Sequence, residues 1–250
     1  MPHSSKRSGF TLLELAIVLI IIGLVVGGVI VGASLIHSTK LQTAVSDYQR
    51  YANAIKLFKE KYHELPGDLP NTPSSWSATN GNGDSFIGDN SLAAAAAQTA
   101  NQEPLLAWQH LSSSGFVDGA YTGAVVSGNL SVGTNVPKGA LDGSAYYIRY
   151  AAPNSTTASY EARYGHTIII GKVASSATMT DDTTSPPTDG IFTPIDAETV
   201  DKKIDDGKPG MGDVLAFKAT DCVTTNVETT ALYKVDTDSP ACALIFITGL

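Results

Sequence analysis

Charge and cysteine are both scarce in this 250-residue chain. Charged residues make up 16% of it, and only two cysteines occur, Cys222 and Cys242. Neither a disulfide-dense miniature scaffold nor a Cys/His zinc cluster can be built from them. Positive charge is the scarcer sign, with 16 Lys and Arg against 24 Asp and Glu. A polyanion-binding protein needs the opposite balance, so nucleic acid is not expected as a partner. Proline is missing between Pro2 and Pro66, which leaves room for one uninterrupted helix. The chain has no Gly-x-Ser-x-Gly, phosphate-loop or metalloprotease pattern, and its five histidines have no motif neighbours; no enzymatic activity is expected. The low charge argues against wholesale disorder, while 23 Gly and 12 Pro argue against an all-helical bundle.

What the chain does have is one long apolar run and a sharp division of charge. Residues 1–61 hold seven cations and three anions, a net of +4, and residues 62–250 hold nine and 21, a net of −12. The acidic part should be soluble and receptive to divalent cations. Residues 15–36 contain 22 positions without a formal charge, which as a helix rise about 33 Å and match a bilayer core. Lys6 and Arg7 precede this span, so the positive-inside rule keeps residues 1–9 cytoplasmic and exports the chain beyond His37. A cleaved secretory signal would carry a shorter apolar region. A plain anchor explains the length but leaves Glu14 without a reason, and a carboxylate in a membrane segment is usually functional.

The stretch Gly9-Phe10-Thr11-Leu12-Leu13-Glu14, with its short basic leader and apolar continuation, resembles the precursor signature of type IV pilins and type II secretion pseudopilins. The resemblance implies cleavage by a prepilin peptidase between Gly9 and Phe10, with methylation of the new amino terminus. It also implies an assembly role for Glu14, neutralising an amino-terminal ammonium in the filament. A buried ammonium and carboxylate offset part of each other's desolvation, whereas either alone is strongly unfavourable, so correct stagger is rewarded. The midway proline of many pilins is absent. Gly23 and Gly27, and Gly28 and Gly32, recur at steps of four and place small residues where another helix can approach.

Beyond the membrane span, Leu41, Val45, Tyr48, Tyr51 or Ala52, Ile55, Phe58 and Tyr62 form one stripe at helical spacing, which should pack against a domain. One helix over 10–62 is predicted, ending before Leu65-Pro66. Further helices are expected at 91–100, 103–114 and 193–206, the last capped by Thr193 with Pro194 at its first position. Strands are expected at 145–150, 166–173, 214–218 and 243–248, and a surface loop at 175–189. The fold class is therefore α+β, a long N-terminal helix on an antiparallel sheet, as the resemblance also implies. The organisation is leader 1–9, membrane and filament-core helix 10–36, amphipathic continuation 37–64, and exported domain 65–250.

Cys222 and Cys242 have 19 residues between them. In an exported domain a disulfide is expected, stabilising by roughly 3 kcal/mol, with two separate core thiols as the other reading; type IV pilins often staple this region. Asn80, Asn82 and Asp84 alternate through a glycine-rich loop that continues to Phe86 and Asp89, resembling half of an EF-hand ring. Calcium, held by those side chains and the Phe86 carbonyl, is one reading of this loop, and a plain Asn/Gly turn is the other. Asp201, Asp205 and Asp206 form a second acidic group. The implied partners are a prepilin peptidase, an inner-membrane assembly platform and sister subunits in a pilus or pseudopilus. The competing reading is a monomeric, membrane-anchored binding module facing outward.

Overall fold

The structure, a computed structural model, describes residues 10–88, 102–124, 130–151, 165–173, 187–217 and 219–250. The helix expected at 91–100 and most of the loop expected at 175–189 lie outside the described residues. Contacts divide the chain into two compact units, Met1–Lys40 and Leu41–Leu250. The division falls inside a single helix, α1, which runs over Leu12–Tyr62.

In the first unit α1 is rich in Ile and Val, which lose side-chain freedom in a helix and make it a poor helix former in water. In a bilayer the balance reverses, because backbone groups can be satisfied only internally. The window of highest mean hydropathy, 3.1, has none of its residues buried. At the other end, Tyr62 is followed by His63 in the left-handed region (φ 61°), whose N–H donates to the Lys59 carbonyl at 2.8 Å. Pro66 then prevents resumption.

The second unit is built on four antiparallel strands, β1 (Ser144–Tyr150), β2 (His166–Lys172), β3 (Val214–Ala216) and β4 (Leu244–Ile247), in the order β1-β2-β4-β3. Ile148 pairs with Ile168 and Ile168 with Phe246, while Tyr147, Ile169, Ile245 and Leu215 form the neighbouring row. All seven are buried, so the sheet is covered on both faces, which is why its strands read as near-continuous apolar runs. The part of α1 in this unit meets the sheet through aromatic rings. Tyr48 stacks on Phe246 at 4.5 Å, and Tyr51 lies edge-on to Tyr146 at 4.9 Å. The Tyr146 hydroxyl donates to Asp47 Oδ2 at 3.3 Å.

Helix α2 (Glu103–Ser113) lies against β1, and α3 (Pro194–Ile204) against β3. Thr193 caps α3 as expected, accepting from the Asp196 N–H at 3.2 Å. The sheet edges are closed, since Gly139 and Tyr146 bond across β1 to Ser144 and Pro137, and Ala216 donates to the Pro209 carbonyl. Neither edge offers a long free ladder for strand addition. The architecture is α+β and pilin-like, with a long apolar N-terminal helix, an antiparallel sheet and added helices.

Candidate functional site

At the head of α1, Thr11 and Glu14 form a reciprocal cap. The Thr11 N–H and hydroxyl donate to Glu14 Oε2 at 2.8 and 2.9 Å, and the Glu14 N–H donates to Thr11 Oγ1 at 3.2 Å. This is the capping box, satisfying two otherwise orphaned donors with one Thr and one Glu three positions on. The Thr-x-x-Glu spacing of this cap is visible in the sequence, whereas the assembly role expected of Glu14 came from the resemblance alone. Within one chain the Glu14 carboxylate thus already has partners. Behind the cap, the apolar side chains stand exposed, from Ile17 at 48% to Leu12 at 89%. Gly23, Gly27, Gly28 and Gly32 have open space where a Cβ would stand. Phe10 is 89% exposed; Gly9 lies outside the described residues.

Cys222 and Cys242 are joined in a disulfide with a Cα separation of 5.1 Å. Both cysteines are buried, and the largely exposed segment between them is tied to the domain through buried Tyr233, whose hydroxyl donates to Asp201 Oδ2 at 2.8 Å. Asp201 Oδ1 accepts from the Gly207 N–H at 3.0 Å. Asp205 takes the N–H groups of Asp213 and Val214, and Asp206 that of Lys208. Burial pushes Asp201 up to about 7, against the pull of Tyr233 and Gly207.

The loop over residues 80–88 is organised by two carboxylates outside the set expected from the sequence. Asp68 Oδ1 accepts from the N–H groups of Gly83 (2.7 Å) and Asp84 (2.9 Å), and its Oδ2 from Ser85 (2.8 Å). Glu103 accepts from Asn82 N–H (3.0 Å) and Gly88 N–H (2.9 Å). Both are fully buried, and burial outweighs the donors, raising Asp68 and pushing Glu103 up to about 7. Of the expected cation ligands, Asn80 turns away to accept from the Thr72 N–H and hydroxyl. The Asn82 amide donates to Asp84 Oδ2, and Asp84 Oδ1 accepts from the Phe86 N–H. Asp89 lies outside the described residues.

Oxygens of Asp68, Asp84 and Glu103 do lie within 4.8 Å of one another. Yet the groups converging on Asp68 and Glu103 are N–H donors, the polarity of an anion nest rather than of a carbonyl-lined cation ring. Asp68 and Glu103 left little trace in the sequence, one in a Pro-Gly-Asp turn and the other before Pro104 at a helix start. His110, buried on α2, joins the same assembly. Its Nδ1 accepts from the Gly67 N–H at 2.9 Å and its Nε2 faces the Thr79 carbonyl at 2.8 Å, so the ring is neutral with its proton on Nε2. Beside Glu103 a cleft of about 360 Å³ is lined by Thr79, Asn80, Gly81, Asn82, Gln102 and Leu106.

The long apolar helix and the motif at its head support a pilin-like structural subunit. Residues 4–30 match the family model of the prokaryotic N-terminal methylation motif, the signature of type IV pilins and pseudopilins. Proteins that bear this motif are structural rather than enzymatic, and the motif with its apolar helix marks a single-pass, membrane-anchored chain. No curated protein and no solved structure matches the chain.

Proposed function

We propose that the chain is a subunit of a type IV pilus or type II secretion pseudopilus. A prepilin peptidase cuts after Gly9 and Phe10 becomes the methylated amino terminus. The helix over residues 10–36 holds the subunit in the inner membrane, with the domain on the periplasmic side, as Lys6 and Arg7 favour. On an assembly platform the helix leaves lipid for a bundle of sister helices. Glu14 then pairs with the amino-terminal ammonium of a neighbour, taking its carboxylate from the Thr11 cap or sharing it. The observation that carries this reading is the joint occurrence of the methylation motif and an apolar helix whose side chains stand exposed in their own chain.

Mass spectrometry of the membrane-extracted protein tests it, with a chain that begins at N-methylated Phe10 as the expected result. An intact leader would favour the anchored binding module instead. Glu14 separates its two roles by substitution. Glu14→Gln keeps the capping hydrogen bonds and loses the charge, so filaments should fail while the helix start survives. Glu14→Ala also removes the carboxylate's half of the box, the bonds from the Thr11 N–H and hydroxyl, for a further loss of at most about 1 kcal/mol, while the residue-14 N–H can still donate to Thr11. Normal filaments from both variants would remove Glu14 from the assembly mechanism.

A further inference from the structure

The chain contains two Asn-Gly steps, Asn80-Gly81 and Asn82-Gly83, and both sit in the exposed loop gathered by Asp68 and Glu103. Asn-Gly is the dipeptide most open to deamidation, because glycine puts no side chain in the way of its own nitrogen. That nitrogen attacks the Asn side-chain carbon Cγ, and an N–Cγ bond forms. The Cγ–Nδ2 bond breaks, and Nδ2 leaves as ammonia carrying the proton lost from the glycine nitrogen. Water then opens the cyclic imide to aspartate or to its backbone-isomerised form.

The fold imposes these glycines. A Cβ on Gly81 would collide with the backbone of Gly67 and Asp68, and Gly83 sits at φ 77°, in the left-handed region. The same fold withholds both reactants. The Gly81 N–H donates to the Leu69 carbonyl at 2.8 Å, and the Asn80 side-chain oxygen is held by Thr72 through two hydrogen bonds. The Gly83 N–H is held by Asp68 twice over, at the backbone carbonyl (3.0 Å) and at Oδ1 (2.7 Å). The Asn82 side chain is fixed at both ends by Asp84, donating to Oδ2 and accepting from its N–H at 2.8 Å. A carboxylate on the Gly83 N–H opposes its deprotonation, and freeing that nitrogen means breaking a charge-assisted bond.

We propose that Asn82 is a latent deamidation site held shut by the Asp68 clasp, so that this loop ages chemically only when the clasp opens. Asn80 does not share this dependence, since Thr72 and Leu69 hold it without any Asp68 side-chain atom. Conversion of Asn82 adds a negative charge beside Asp84, Asp68 and Glu103, and the isomerised product lengthens the backbone by one methylene. Either product works against reclosure of the loop.

The test is peptide mapping by mass spectrometry of the full chain in detergent, aged at mildly alkaline pH, with aspartate and its isomer quantified separately at positions 80 and 82. In the native chain Asn82 should react about tenfold or more slowly than in the urea-unfolded chain, which corresponds to about 1.4 kcal/mol. Asp68→Ala should speed Asn82 towards the unfolded rate and leave Asn80 slow, which also reports that the variant is folded. Equal rates at Asn82 in native and unfolded wild-type chain would overturn the proposal, and that comparison needs no variant. So would an Asp68→Ala protein that keeps Asn80 protected and Asn82 unchanged.

Discussion

The two stretches of α1 share one backbone and almost nothing else. From Leu15 to Ile36 the helix carries no formal charge on any side and its large side chains are exposed; from Leu41 onward it buries only Leu41, Ala44, Tyr51, Ala52, Ala54, Ile55 and Phe58. A helix that is apolar all round must find lipid or other helices, whereas a one-sided stripe finds a domain of its own chain. Continuity of a helix therefore says nothing about continuity of environment. The side-chain pattern alone assigns one stretch to outside partners and the other to the core.

Substitutions in each stretch should act on different observables, and the largest effect is expected in the buried stripe. Phe58 is fully buried against Tyr62, Trp76, Phe116 and His110. Phe58→Ala should lose about 3–5 kcal/mol of domain stability, seen as a fall in the thermal midpoint, while cleavage of the leader goes on as before. A midpoint that does not move would mean the stripe is not core. Next in size is Val25→Arg in the apolar stretch, which places a charge at mid-helix at about 3 kcal/mol against membrane insertion. Membrane retention should drop and the domain midpoint should stay. If the domain melts earlier instead, the two stretches are not energetically separate.

A pH trend also belongs to the Leu41–Leu250 unit. Glu103 and Asp201 both titrate near 7 when folded, against ordinary values of 4.5 and 3.8. The folded state then binds more protons than the unfolded state between those limits. The stability they contribute is fully present below about pH 4 and is lost as pH rises through 7. Melts across this range should show that contribution falling with alkalinity, and Glu103→Gln with Asp201→Asn should flatten the slope. A wild-type slope left untouched by both substitutions would place these carboxyls elsewhere on the scale. Calcium added in the same melts is expected to leave the midpoint in place, because N–H donors already occupy Asp68 and Glu103; a rise that a chelator reverses would show the ion bound.

Local patterns were the legible part of the fold. The helix, all four strands, the Thr193 cap and the stop before Pro66 follow from spacing, β-branched runs and turn residues, and each involves neighbours a few positions apart. The Thr11–Glu14 cap is equally local, since its two side chains stand three positions apart. The loop is a different case. Asn80, Asn82 and Asp84 look like convergent ligands by their alternation, but alternation does not say whether carbonyls or N–H groups turn inward. The loop amides are taken up by Asp68 and Glu103, whose bonds to the loop span 15 to 21 positions.

By itself the sequence determined where α1, α2 and α3 run, which stretch must leave water and which carboxylate heads the apolar run, since hydrophobic periodicity and capping act over one or two turns. Only the tertiary structure decided that the sheet is covered on both faces, that Cys222 meets Cys242, and that two buried acids hold the exposed loop by its amides. Those outcomes depend on which distant residues share a buried space, and burial, unlike periodicity, is a property of the packed chain.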